Sequence, residues 1–361
     1  MRLLLASGLS VLSANSFSRQ LRLLGEFLAK QGHDITVAGV RPSSAAAEPI
    51  EGTARPKVES LDVPQWDAPT YEELHEHLRF AGVILIGYLS QFPFLLGQQR
   101  GPEIFFWYQC SRPHLPRGLE HVTPIPLTET TRHHLVAAGH DGIGVTIPHG
   151  VDTEVFSPTS RQGAVGPHPV LCSVGANSFR KRFDALFESF GILLESMPDV
   201  RLVLKTDTRN KVGGFDLDVL ACKLGISEQV DILTNELSET DLAAVYQSSD
   251  LYIHTAEWEG FGIPVIEAMA CGLPVVTHSI QGPGEIVPYR ELLVEGSDVV
   301  EDEGTMLRRI RADDLAAGIG RLLADPVAFA RASRLGTDTA TTVYDIRLVA
   351  RQWERVFDAT L

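Results

Sequence analysis

EGFGIPVIEAMACGLPVV, running from Glu259 to Val276, reads as a loop, a short helix and a buried strand. Gly260 and Gly262 loosen the backbone, and Pro264 stands where a first helical turn begins, a place where proline is well tolerated. Glu267, Met269 and Ala270 fit the helix, Gly272 has the place of its C-terminal stop, and Pro274 follows. A helix start presents backbone N–H groups without intrahelical partners, and these suit an anion such as a phosphate. Glu259 and Glu267 flank that start and repel a phosphate, so they must serve another part of the same ligand, such as hydroxyl groups. A ligand with both phosphates and hydroxyls is a nucleotide or a nucleotide-sugar.

Outward from this stretch, strand and helix patterns alternate along the chain. Strands are expected at Leu3–Ser7, Ile35–Val40, Gly82–Gly87, Ile104–Tyr108 and Thr123–Pro126, and then at Val170–Val174, Arg201–Lys205, Val230–Leu233, Leu251–His254 and Pro274–Thr277. Helical patterns such as Phe183–Met197 and Glu239–Ser248 fill most gaps. This alternation predicts an α/β fold with parallel, doubly wound sheets. The Pro-, Gly- and Ser-rich passage Ile147–Pro169 interrupts it and reads as an interdomain linker. The expectation is two Rossmann-like doubly wound domains, 1–158 and 159–338, facing a central cleft at the carboxyl ends of their strands. A last helical segment, 339–361, is expected to return to the first domain. Neither a G-x-G-x-x-G after the first strand nor a P-loop pattern is present, which disfavours a conventional NAD enzyme. The opening MRLLLASGLSVLSA admits two readings, a signal peptide or a first buried strand. The helix-spaced Leu21, Leu24, Phe27 and Leu28 that follow, with a second strand after Gly32, favour the strand of a βαβ unit.

The 361 residues carry a formal net charge of −15, with the acidic excess after residue 150. That balance argues against a nucleic-acid partner and against adhesion to anionic lipid. No apolar run approaches the roughly twenty residues of a membrane helix. Four cysteines, Cys110, Cys172, Cys222 and Cys271, form no Cys-x-x-Cys pair and read as thiols of a reducing cytosol, so a cytoplasmic location is expected. His75 and His77, two apart, share no helix face, and no metal site is expected. Phe105, Phe106 and Trp107 read as core strand.

In four places, in order, the chain resembles the retaining GT-B glycosyltransferases of family 4. These are IPHGVDTEVFSP (Ile147–Pro158), SVGANSFRKRFDALFESFGILL (Ser173–Leu194), SETDLAAVYQSSDLYIHTAEWEG (Ser238–Gly260), and the E-x7-E pair Glu259 and Glu267 in its setting of glycines and proline. The resemblance covers the linker and nearly all of the second domain; the first domain matches in outline. It implies a metal-independent, retaining hexosyltransferase that needs no cofactor beyond its nucleotide-diphosphate-sugar co-substrate. A UDP-sugar stands ahead of a GDP-sugar, and the acceptor is a small molecule or saccharide held by the first domain. Glu267 is then expected to hold the ribose hydroxyls and Glu259 to lie at the donor sugar. The backbone of Gly260, Phe261 and Gly262 would face the sugar, the N–H groups of Val265 and Ile266 the phosphates, and Leu233 and Asn235 the base. Lys181 takes the family's lysine place at the diphosphate.

The sequence also departs from the family. The usual arginine place holds Ala176, which leaves Arg180, with help from Lys205, as the second cation. A point charge and a bidentate fork are not equivalent, so this bears on phosphate geometry. The first-domain histidine place falls near Gln109, with Cys110 and His114 as neighbours, and a glutamine cannot shuttle a proton at neutral pH. Asn15 and Ser16, in the loop Ser13–Ser18, occupy the place of the family's glycine-rich loop near the donor phosphates. Trp258, beside Glu259, is the candidate for stacking on a sugar. Two other readings stay open: a GT-B nucleotide-sugar epimerase or phosphorylase, and a nucleotide-binding GT-B protein without catalysis.

Overall fold

The computed structural model describes residues 1–11, 15–40, 58–96, 101–108, 119, 121–140, 143–160, 163–296, 298–302 and 305–361. They form two compact units, Met1–Gly150 with Ile346–Leu361, and Val151–Asp345. The boundary falls earlier than residue 158, and the segment that rejoins the first unit begins later than residue 339.

The first unit has a six-stranded sheet of β1 (Arg2–Ser7), β2 (Asp34–Val40), β3 (Val58–Val63), β4 (Gly82–Ile86), β5 (Glu103–Tyr108) and β6 (Val122–Pro126). Its order is β3-β2-β1-β4-β5-β6, with every pair parallel, which is a doubly wound topology. Helices α1 (Ser16–Lys30), α2 (Ala68–Leu78) and α3 (Glu129–Ala137) belong to this unit. β5 shows why both sheet faces are apolar. Successive side chains alternate between faces. Phe106 and Tyr108 join a cluster with Phe92, Val83 and Leu4. Phe105 and Trp107 meet Trp353, and Phe105 also meets Phe357, both from the returning helix. The Phe105–Trp107 run is therefore core, as its sequence suggests. Trp107 Nε1 donates to Ile147 O at 2.7 Å, and the buried His149 ring packs edge-on against the indole at 4.6 Å.

The second unit has a five-stranded sheet of β7 (Val170–Val174), β8 (Arg201–Lys205), β9 (Val230–Leu233), β10 (Leu251–Ile253) and β11 (Val275–Val276). The order is β11-β10-β7-β8-β9, again parallel throughout. Around it run α4 (Phe183–Ser196), α5 (Leu217–Leu224), α6 (Glu239–Gln247), α7 (Ile263–Ala270), α8 (Pro283–Ile286), α9 (Ala312–Ala324) and α10 (Pro326–Thr342), and α11 (Ile346–Thr360) closes the chain in the first unit. Leu171, Leu202, Leu204, Ile253 and Val276 share a core with Leu186, Phe187 and Phe190 of α4 and Ile319 of α9. Two features lie outside the sequence expectation: β3, at a sheet edge, and an antiparallel hairpin of β12 (Asp298–Asp302) and β13 (Thr305–Arg309). No described helix is long and apolar enough to cross a membrane.

Candidate active site

Of the residues singled out in the second unit, Arg180 and Lys181 lie in the segment after β7, and Glu259 to Gly262 in the loop after β10, at the carboxyl ends of neighbouring parallel strands. Helix α7 carries Glu267. Seven of its eight residues are buried, among them both neighbours of Glu267, so the helix is covered nearly all round and its one carboxylate is 2% exposed. Tyr246 of α6 donates to Glu267 Oε2 at 2.9 Å. Burial, with the Glu267 charge beside it, raises the Tyr246 phenol well above its ordinary value, so it stays a donor. The helix stops where the sequence indicates. Gly272 has φ +81° and its N–H donates to Met269 O at 2.9 Å. From α10, Ser333 and Thr337 donate to the carbonyls of Gly272 and Met269 at 2.7 and 3.2 Å. At the other end Gly262 caps the helix with φ +104° and accepts from Val265 N–H at 2.9 Å. That amide is turned back into the first turn, which corrects the expectation that it is a free donor. Of the other backbone positions expected around a ligand, Gly260, Phe261 and Gly262 are buried in the loop before α7, and Ile266 lies in its first turn.

Glu259 is the hub. Its Oε2 accepts from Lys181 Nζ in a short contact and from Arg180 Nη1 at 3.0 Å, and His254 Nε2 lies 3.8 Å away, an ion-pair distance rather than a hydrogen bond. Burial alone raises the Glu259 carboxyl, but Lys181, Arg180 and His254 outweigh it and hold it well below the ordinary carboxylate range. Burial lowers the Lys181 ammonium, and Glu259 pulls it back. Arg180 also donates to Trp258 O at 2.7 Å, and its guanidinium lies 4.8 Å from the Trp258 ring centre. The expected stacking ring therefore has Arg180 against it.

Local chemistry fixes these cations. After β7, a 3₁₀ turn at Phe179–Lys181 ends at Arg182 in the left-handed region, φ +52°, where Asp184 holds its guanidinium through bonds of 2.9 and 3.2 Å. The turn is stitched to the loop after β10: Glu257 N–H donates to Arg180 O at 2.9 Å, and Thr255 Oγ1 to Lys181 O at 2.7 Å. The Lys181 stem lies across Gly175, where a Cβ would stand 3.3 Å from Lys181 Cε. The buried Asn177 ties this segment to the loop after β8, donating to Thr208 O and Phe215 O and accepting from Phe215 N–H. Gly282, φ +79°, lies under the Glu259 loop. A Cβ there would stand 2.7 Å from Phe261 O and 2.9 Å from Glu259 O. Gly282→Ala is expected to cost about 1–3 kcal/mol and to lower Tm by several degrees in scanning calorimetry. An unchanged melt would mean that the loop yields.

Other expected residues stand apart. Lys205 ends β8 in register with Val174 and Leu233, and its Nζ donates to Thr206 O at 2.7 Å rather than to Glu259. Leu233 is half-buried, and the exposed Asn235 donates to Glu236 O at 3.4 Å. In the first unit, Asn15 caps α1, with Oδ1 accepting from Ser18 N–H at 2.9 Å, and the exposed Ser16 opens the helix. That is a sufficient local reason for Asn15, without a phosphate. Gln109, Cys110, His114 and part of the Ser13–Ser18 loop lie outside the described residues. Among the described residues no cluster of three His, Cys, Asp or Glu is placed to hold a metal. Sequence reading missed Tyr246, His254, Thr255, Asn177 and Gly282; His254, a polar residue ending an apolar strand five positions before Glu259, carried a usable signal.

Two parallel doubly wound units with this site define a GT-B fold. A glycosyltransferase from Rickettsia africae superposes with a TM-score of 0.76 at 14% identity, over 99% of this chain and 98% of that one. The profile of the family glycosyl transferases group 1 matches residues 159–339, half of the chain, and the chain belongs to that family. It is 30% identical over 236 residues to D-inositol 3-phosphate glycosyltransferase of Nocardiopsis dassonvillei, covering 61% of this chain and 50% of that protein. It is 28% identical over 237 residues to the lipopolysaccharide core biosynthesis mannosyltransferase LpsB of Rhizobium meliloti, covering 62% and 63%. The chain spans about half the length of the first of these relatives.

Proposed function

We propose that this chain transfers a sugar, with retention and without a metal, from a nucleotide-diphosphate donor to a small-molecule or saccharide acceptor. The donor is a UDP-sugar ahead of a GDP-sugar. The observation that carries the reading is the convergence of Lys181 and Arg180 on Glu259, beside the start of the helix that bears the buried Glu267. Two cations on one carboxylate form a place where a diphosphate can compete for them. Lys181 and Arg180 stabilise the departing diphosphate, the main catalytic contribution expected of such a site. Arg180 serves as the second cation that Ala176 cannot supply. Glu259 then meets the donor sugar and Glu267 the ribose. The relatives' names, a glycosyltransferase and a mannosyltransferase, support transfer of a sugar.

Thermal shift with UDP, GDP, ADP and NAD tests this. A ligand at a hundred times its Kd stabilises by about 2.7 kcal/mol, a shift of several degrees. One nucleoside diphosphate is expected to raise the melt and NAD to leave it unchanged. A shift with NAD alone, or with none of the four, counts against the donor site.

A further inference from the structure

We propose that His254 is the reserve cation of Glu259: when a nucleoside diphosphate draws Lys181 and Arg180 onto its phosphates, the imidazole takes a proton from solvent and holds the carboxylate in their place. The inference rests on the donor-site reading above and adds a positioning residue to it.

The geometry separates the three basic groups around Glu259. Lys181 and Arg180 reach it on long, flexible stems, and the Arg180 side chain is nearly a third exposed. His254 has no such freedom. It is 3% exposed and follows β10 directly, with its backbone N–H donating to Val276 O at 2.9 Å. Neither ring nitrogen has a hydrogen-bond partner among the described residues, although Nε2 stands 3.8 Å from Glu259 Oε2. A buried imidazole with both nitrogens idle is costly in a resting protein, and it gains a bond as soon as it can donate to that carboxylate.

The groups acting on His254 are Glu259, Lys181 and Arg180, and His278, which follows β11. His278 cannot take the same part, because its Nε2 lies 2.8 Å from Arg308 O. While Lys181 and Arg180 sit on Glu259, burial and their charges keep His254 below its ordinary pKa and neutral. Once they turn to phosphate, those charges recede and a half-buried anion is left facing the ring. Both changes raise the affinity of Nε2 for a proton. The proton comes from solvent, and the Glu259 carboxylate, released by Lys181 and Arg180, closes the 3.8 Å to Nε2, accepts from its N–H and stays within the site for the sugar. Nucleotide binding therefore takes up a proton, and it tightens as the pH falls toward the range where the free imidazole begins to protonate.

Calorimetric titration of the full chain with UDP, GDP and ADP, repeated at one pH in buffers of different ionisation enthalpy, counts the protons. Wild type is expected to take up about one proton more per nucleotide than His254→Asn, since linkage equates the difference in bound protons with the pH slope of binding. Protons released by the nucleotide's own phosphate are common to both proteins and cancel. Glu259→Gln, which keeps the histidine but removes the anion, should lose the extra proton too, and it decides the matter if His254→Asn does not fold. Binding with the same proton count in wild type and the variants overturns the role of His254 and leaves the donor site standing. Absence of binding by all three nucleotides to wild type overturns both.

Discussion

Glu267→Ala is expected to weaken nucleoside-diphosphate binding about a hundredfold. A buried carboxylate that accepts from two vicinal hydroxyls makes two charged hydrogen bonds, each worth about 1.5–3 kcal/mol, and water entering the space returns part of that. The substitution also strands the Tyr246 hydroxyl, which donates to Glu267 at 2.9 Å from a fully buried ring. Some loss of stability therefore accompanies the loss of affinity. Tyr246→Phe separates the two effects. It removes the internal donor and keeps the carboxylate, so it should cost about 1 kcal/mol of stability and change affinity less than tenfold. Titration of both variants with the nucleotide that raises the wild-type melt decides the matter. Unchanged affinity in Glu267→Ala removes Glu267 from the donor site and leaves it as the polar partner of Tyr246.

The second large effect falls on turnover. Lys181→Ala is expected to lower kcat by about two to three orders of magnitude, the range seen when one preorganised donor to developing charge is removed. Stability should suffer less, because Glu259 keeps Arg180 at 3.0 Å and His254 at 3.8 Å and is not left as an isolated buried anion. Steady-state rates with the identified donor, set against Tm of the ligand-free variant, test the split. A large fall in Tm with kcat intact would make Lys181 a structural counter-ion of Glu259.

How far the sequence could be read depended on how local the physics was. The start and stop of α7, the strand before it and the basic turn at Lys181 follow from neighbouring residues, and each was legible. β3 was not. In VESLDV only the last residue is buried, so an edge strand with one bonded neighbour carries little apolar alternation. The β12–β13 hairpin was missed for a related reason, since Asp298–Asp302 is largely acidic and no helical or alternating pattern announces it. In the candidate site, both glutamates and Lys181 stand out in the sequence, but the contact between Lys181 and Glu259 does not. They lie 78 residues apart, and only the parallel order of β7 and β10 sets their loops side by side. The sequence places His254 at the end of a buried strand, and in the structure it follows β10 directly; what matters chemically is the group it faces.

Helix α11 has a consequence for the newborn chain. The second unit is one uninterrupted length of polypeptide, Val151–Asp345, whereas the first is completed only by Ile346–Leu361. During synthesis the Phe105 and Trp107 face must wait, without Trp353 and Phe357 to cover it, until the whole of the second unit has left the ribosome. That interval exposes an aromatic surface of the kind that chaperones hold. A nascent chain stalled or cut between Asp345 and Trp353 keeps a complete second unit and a first unit whose sheet has one aromatic face uncovered.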